Sequence, residues 1–219
     1  MEAMMHKYFK TQQGVILIWQ LTESKEELFQ QLDGQTIDLL EYEKLKNERR
    51  QVEYLGTRIA LKNLLNKKID FFHTSEGKPY LEDESYQISI SHSQQWIAVI
   101  AHPNLTVGID IECFQPKILK LYERFLNEEE LRCFGDEKNI RKLTLIWSAK
   151  EVIYKIIGSE AVNFSHQIQV LPFKLKKSGE LRTLHIPSEQ IFRLHYNQTN
   201  DYVLVYGAVG KTHKEKIEK

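Results

Sequence analysis

Twice along this chain the spacing of apolar residues changes from alternation to a helical period, and that repeated change narrows the folds open to it. Val15 to Gln20 alternates as a strand, and Thr22 through Leu65 turns helical, ending in Leu55, Ile59 and the Leu64-Leu65 pair at helical spacing. A Gly77-Lys78-Pro79 loop leads to a strand over Tyr86 to Ser91, with Trp96 to Ala101 as its hairpin partner and His92 to Gln95 as the connection. Val107 to Glu112 is again a strand. Asn127 before Glu128-Glu129-Glu130 reads as an N-cap with a glutamate at N3, and Arg141 to Ile157 forms a longer helix that Gly158 stops. Strand-like segments follow at Val170–Leu175, Leu181–Ile186, Phe192–Tyr196 and Tyr202–Ala208, with Ser178-Gly179 as a turn. Each half thus runs from a strand through helices into an antiparallel ribbon, and the stretch from Trp96 to Ile100 echoes that from Tyr202 to Tyr206. The expectation is an α+β fold of two similar, pseudo-symmetric lobes, each with a small mainly antiparallel sheet and packed helices. Residues 1–106 and 107–210 form the lobes, packed as one body around a shared cleft, and 211–219 form a charged tail.

With 219 residues and 42% hydrophobic content the chain can bury one good core or two small ones. Lys plus Arg and Asp plus Glu balance at 30 each, so there is no overall basic field for nucleic acid, and an anionic ligand must meet a local cluster. The segment from Met1 to Lys7 lacks an apolar export signal and Val15–Leu21 is too short to span a bilayer, so neither export nor membrane insertion is expected. Cys113 and Cys133 make no disulfide framework and fit free thiols in a reducing cytoplasm.

Residues two apart on a strand share a face about 6–7 Å apart, so Asp110 and Glu112 stand together while Val107, Ile109 and Ile111 point away. Two carboxylates in a cleft repel unless one is protonated or a cation neutralises both, and Mg²⁺ takes oxygen ligands of this kind. The same pattern also suits a solvated strand face. On the following helix, Trp147, Glu151 and Lys155 recur every four residues along one side, an arrangement that suits a surface ion pair equally well. Ser89-Ile90-Ser91-His92-Ser93, at a strand end, offers hydroxyls and an imidazole to an anion or to the protein's own packing.

Taken in order, Gly77-Lys78-Pro79, Ile90-Ser91-His92-Ser93, Val107-Gly108-Ile109-Asp110-Ile111-Glu112 and Trp147-Ser148-Ala149-Lys150-Glu151 with Lys155 resemble the 4′-phosphopantetheinyl transferase family. The two-lobed, surfactin-synthetase-activating type is the better fit. The resemblance implies that Asp110, Glu112 and Glu151 ligate Mg²⁺ with the pyrophosphate of coenzyme A, the substrate. It places Lys78, Pro79, Ser91, His92 and Lys155 on coenzyme A, with His92 and Lys78 near its 3′-phosphate. Arg49, Arg50 and Arg58 are further candidates without a motif to fix their register. Lys117, Lys120, Leu121, Arg124 and Phe125 resemble the region that receives the carrier protein.

A serine hydroxyl needs a base and a more positive electrophile, so the implied reaction gives Glu151 the role of base and lets Lys155 neutralise or protonate the leaving 3′,5′-ADP. The expected partner is an apo acyl carrier protein or carrier domain, with no nucleic acid and no membrane, and a monomer suffices. The rival readings are a Mg²⁺-dependent hydrolase of coenzyme A or another nucleotide, and a non-catalytic coenzyme A or carrier-binding module.

Overall fold

The first sheet begins one strand earlier than expected, because β1 (His6–Thr11) pairs antiparallel with β2 (Gly14–Gln20). It is an edge strand whose Lys7, Tyr8 and Lys10 face water, so it carries little apolar alternation to announce it. The computed structural model describes residues 6–32, 37–68, 70–134, 139–158 and 163–210, and the charged tail 211–219 lies outside them. The long helical region resolves into α1 (Lys25–Leu32), α2 (Leu39–Lys44) and α3 (Glu48–Leu65). Asp38 and Asn47 cap α2 and α3, each side chain accepting a backbone N–H of the first turn. Around Gly77 the loop is a small ribbon of β3 (Phe71–His73) and β4 (Pro79–Leu81).

β5 (Gln87–Ser93) and β6 (Trp96–His102) form the hairpin, but β5 runs two residues past Ser91, so His92 sits on the strand rather than in the connection. β7 (Thr106–Cys113) follows, then two short 3₁₀ turns over Pro116–Lys120 and Tyr122–Arg124. After them come α4 (Glu128–Phe134), α5 (Ile140–Ile157), α6 (Phe164–Gln167), β8 (Ile168–Val170), β9 (Ser178–His185), β10 (Gln190–Gln198) and β11 (Tyr202–Val209). The expected cap at Asn127 is a reciprocal box: its Oδ1 accepts Glu130 N–H at 2.8 Å and Glu130 Oε2 accepts Asn127 N–H at 2.9 Å. Gly158 ends α5 at φ +61°, its N–H donating to the Tyr154 carbonyl. Two expectations fail here. The strand placed at Val170–Leu175 stops at Val170, and Ser178 and Gly179 open β9 opposite Asn197 and Tyr196 instead of forming a turn.

The sheets have the orders β1-β2-β6-β5 and β7-β11-β10-β9-β8, with every pairing antiparallel. The strand that precedes the helices or turns of each half, β2 or β7, therefore pairs with the last strand of that half, β6 or β11, and that last strand pairs with the one before it. Ile16, Ile18, Ala98 and Ile100 of the first sheet share one core with Ile109, Ile111 and Leu204 of the second. On the outer faces Leu17, Trp19 and Val99 pack with Leu55 and Ile59 of α3, while Val203 and Val205 pack with Ala149, Val152 and Ile153 of α5. The result is helix, sheet, sheet, helix.

Both outer helices lie close to their sheets at a glycine. A Cβ on Gly56 of α3 would come within 2.7 Å of Ile97 Cδ1, and one on Gly108 of β7 within 2.7 Å of the Val152 carbonyl oxygen. Gly108 thus lets α5 approach the strand that carries the two acids. No helix among the described residues is long and apolar enough to cross a membrane, and both cysteines are free.

Candidate active site

Where the two sheets meet edge to edge, β5 lies beside β7 and the joint is made by serines. Ser89, Ser91 and Ser93 alternate along β5 with Ile88, Ile90 and His92, and the three serine hydroxyls bond to β7. Ser89 Oγ accepts Ile109 N–H at 3.2 Å. Ser91 Oγ donates to Asp110 Oδ1 at 2.9 Å, and Ser93 Oγ donates to Glu112 Oε2 at 2.8 Å while accepting Cys113 N–H. The serines therefore hold the backbone of β7 and its two carboxylates. Ser91 thus holds Asp110.

Asp110 is 4% exposed. Its Oδ1 also accepts from Lys155 Nζ at 2.9 Å, and Oδ2 is buried with no hydrogen-bond partner. Lys155 reaches back to β7, donating to the Ile109 carbonyl at 2.8 Å as well, so its ion pair is with Asp110 across elements rather than with Glu151 along the helix. Burial, then the Asp110 charge, raises the Glu112 carboxyl above its usual value against hydrogen bonds from Ser93 and Trp147 and the Lys117 charge. Burial first, then Asp110, pushes Glu151 up to about 7, with Lys155 opposing and Glu112 adding.

Among the described residues no group of three acids, histidines or cysteines is drawn together as a formed metal site. The donor set nevertheless fits a hard divalent cation: a buried Asp110 with half-buried Glu112 and Glu151, carboxylates that repel one another, and an Asp110 Oδ2 that no protein group satisfies.

The Glu151 carboxyl gives the metal-free protein a testable pH response. Its folded value of about 7 lies above the ordinary 4.5, so the folded state binds the extra proton. That contribution is complete below the ordinary value and is lost as pH rises through about 7. In chelator, Glu151→Gln should gain stability relative to the parent by roughly 3 kcal/mol between about pH 5 and about pH 8. Urea denaturation at the two pH values measures it, and a constant difference would show that Glu151 does not titrate there.

A cavity of about 430 Å³ opens between α3, the β3–β4 ribbon and β5 on one side and α5 on the other. Arg50, Arg58, His73, Lys78, His92 and Lys155 bring positive or protonatable groups to its wall, with Tyr54, Phe71 and Pro79 beside them. The Arg58 guanidinium carbon lies 3.3 Å from the Tyr54 ring centroid and 4.6 Å from that of Phe71, a sandwich that fixes a buried cation. Burial pulls the Lys78 ammonium below its usual value, with Glu76 opposing. Arg49 is mostly exposed, its Nε on Glu53, and is not in the wall. Lys155 belongs to both regions, so the basic cavity and the three carboxylates adjoin through one ammonium.

A smaller apolar slot of about 150 Å³ lies beside Glu112, lined by Lys117, Ile118, Leu121, Phe125 and Trp147 among others. Of the residues expected to meet a carrier, Lys117 and Leu121 open onto it, and Lys120 and Arg124 are exposed outside its wall. Phe125 is a core residue whose ring packs 5.3 Å from that of Trp147.

Three features escape a reading of the sequence. Ser93 had a signal in the alternation of serines before Glu112, but its partner had none. Glu53, buried beneath Arg49 and Arg50, shows only as an i+3 and i+4 charge. Lys150, next to Glu151, is entirely buried and pairs with Glu130 at 2.6 Å.

Residues 106–206 match the 4′-phosphopantetheinyl transferase superfamily. Among curated proteins the chain is 34% identical over 103 residues to the 4′-phosphopantetheinyl transferase gsp of Aneurinibacillus migulanus, covering 46% of this chain and 43% of that one. It is 29% identical over 128 residues to the 4′-phosphopantetheinyl transferase psf-1 of Bacillus pumilus, covering 57% and 53%. A 4′-phosphopantetheinyl transferase of Bacillus subtilis is 28% identical over 156 residues, covering 68% and 67%. The likeness to the first two spans about half of their length.

Proposed function

We propose that this chain, which carries a domain of the 4′-phosphopantetheinyl transferase superfamily over residues 106–206, moves the phosphopantetheine arm of coenzyme A onto a serine of an apo carrier protein. The observation that carries the reading is the adjacency of a basic cavity and a carboxylate trio through Lys155. A nucleotide with a phosphate monoester at one end and a pyrophosphate at the other needs cations along its length, and the attacked phosphorus needs acids at one end.

In this reading residues 1–106 contribute most of the coenzyme A wall, through Arg50, Arg58, Lys78, Pro79 and His92. Residues 107–210 contribute Lys155 and the acids Asp110, Glu112 and Glu151, which would hold Mg²⁺. When bound, that ion would polarise the pyrophosphate and stabilise the leaving group. Glu151, on α5 beside the two acids of β7, would take the proton of the carrier serine directly or through a water. The serine oxygen bonds to the phosphorus bearing the pantetheine arm as the bond to the bridging oxygen breaks. The electron pair leaves with 3′,5′-ADP, where the Lys155 ammonium can neutralise or protonate it.

Lys117, Lys120 and Arg124 offer exposed charge, and Leu121 an apolar contact, beside Glu112 for a carrier that must bring its serine there. One chain supplies every group named, so a monomer suffices, and the two free thiols suit the cytoplasm.

Release of 3′,5′-ADP from coenzyme A with and without apo carrier tests the reading. Release only with carrier is expected. Release without it would indicate a hydrolase, and coenzyme A binding without release across a broad carrier panel would indicate a binding module.

A further inference from the structure

The wall of the basic cavity holds a carboxylate where an anion site would be expected to exclude one. Glu53, on α3, is 6% exposed. Its Oε1 lies 3.1 Å from Arg49 Nε, its Oε2 3.2 Å from Arg50 NH1, and His92 Nδ1 on β5 stands 3.6 Å from Oε1. Arg49 and Arg50 are long and mostly exposed, and a buried carboxylate one turn along fixes where their guanidinium groups can be.

We infer that Glu53 is a positioning residue for a phosphate monoester: it holds Arg50 and His92 at the cavity wall and couples binding of the dianion to uptake of a proton by His92. The inference rests on the coenzyme A reading and identifies the 3′-phosphate as the group met here. A carboxylate facing Nδ1 favours the tautomer with its hydrogen on that nitrogen, leaving Nε2 for a ligand. A phosphate oxygen accepts only from an N–H, so with Nδ1–H directed to Glu53 the imidazole meets the ligand as the doubly protonated cation.

The charged groups facing His92 are Glu53, Arg50 and Arg49 from α3 and Lys155 from α5. Burial, with the three cations, lowers the free imidazole from its ordinary value, while Glu53 opposes them. A bound dianion adds the second negative charge, and the ring between two anions takes the proton. Above about pH 7 a phosphate monoester is already largely dianionic, so its own ionisation does not mask this uptake.

Titration calorimetry of the whole chain with coenzyme A and with 3′-dephospho-coenzyme A, near pH 7.5 in buffers of different ionisation enthalpy, tests the inference. The parent should take up close to one proton more with coenzyme A than with the dephospho compound, the pyrophosphate end being common to both. Its preference for coenzyme A should weaken several-fold per pH unit above neutrality. Glu53→Gln should abolish the uptake and lose roughly tenfold of that preference, since a charge-assisted contact is lost while shape is kept. His92→Gln, which leaves α3 untouched, should also abolish the uptake and guards against a Glu53 variant that fails to fold.

Unchanged uptake and preference in Glu53→Gln would make Glu53 a mere anchor of its helix and overturn the inference alone. Tighter coenzyme A binding by Glu53→Gln would do the same, making it a repelling charge. Absence of coenzyme A binding in the parent would overturn the coenzyme A reading and the inference together.

Discussion

Glu151→Gln should lower the single-turnover rate of phosphopantetheine transfer by roughly 10²–10⁴-fold, the range in which a positioned general base contributes. The substitution keeps the shape of the side chain and removes only its charge and basicity. Glu151 stands on the helix that Gly108 lets close onto β7, beside Asp110 and Glu112, and in the metal-free protein burial, then Asp110, push its carboxyl up to about 7 against Lys155. Coenzyme A affinity should change little by comparison, because the cavity wall is built from Arg50, Arg58, Lys78, His92 and Lys155. A rate within a few-fold of the parent at saturating Mg²⁺ would remove Glu151 from the chemistry. Asp110→Ala is less clean: it would strip Ser91 and Lys155 of their shared partner, so a loss of stability is expected where relief of repulsion alone would predict a gain.

Lys150→Met should destabilise the fold by about 3–5 kcal/mol, the cost of breaking a buried ion pair by removing one partner. The Lys150 ammonium is fully buried and shares its three N–H groups among four oxygens: Glu130 Oε2, the Phe125 and Ile168 carbonyls at 2.7 and 2.6 Å, and the Phe164 carbonyl at 3.0 Å. Glu130 in turn accepts Asn127 and Val170 N–H groups. Methionine fills similar space but leaves a buried carboxylate and three carbonyls without their cation. Adding Glu130→Gln should recover a large part of the loss, because the stranded charge is then gone, and a urea double-mutant cycle reads the coupling. A loss below about 1 kcal/mol, as for an exposed pair, would mean that water reaches Lys150. Lys150 thus ties α5 to the start of α4, to α6 and to β8, and serves the site through the position of its neighbour Glu151.

Long-period patterns were legible in the sequence because burial writes them there. β2, β5, β6, β7, β11, α4 and α5 follow from alternation, helical spacing, the cap at Asn127 and the stop at Gly158. Edge strand β1 was not, since a strand with one solvated side and one neighbour needs few apolar residues. The breaks between α1, α2 and α3 were lost for a related reason: caps such as Asp38 and Asn47 are common residues until a backbone N–H is seen to point at them. At the site, Asp110 and Glu112 could be placed on one face by spacing alone. The partners of Ser91, Ser93 and Lys155, and the His92 that faces Glu53, come from other elements, and no local pattern encodes a contact between β5 and β7 or between α3 and β5.

The central claim is group transfer to a carrier, and intact-mass measurement of several apo carrier proteins after incubation with this chain, coenzyme A and Mg²⁺ tests it most directly. The account predicts that at least one carrier gains a single phosphopantetheine, and that the same carrier with its acceptor serine changed to alanine gains none. Unmodified carriers throughout the panel, with coenzyme A either cleaved by water or bound intact, would contradict it.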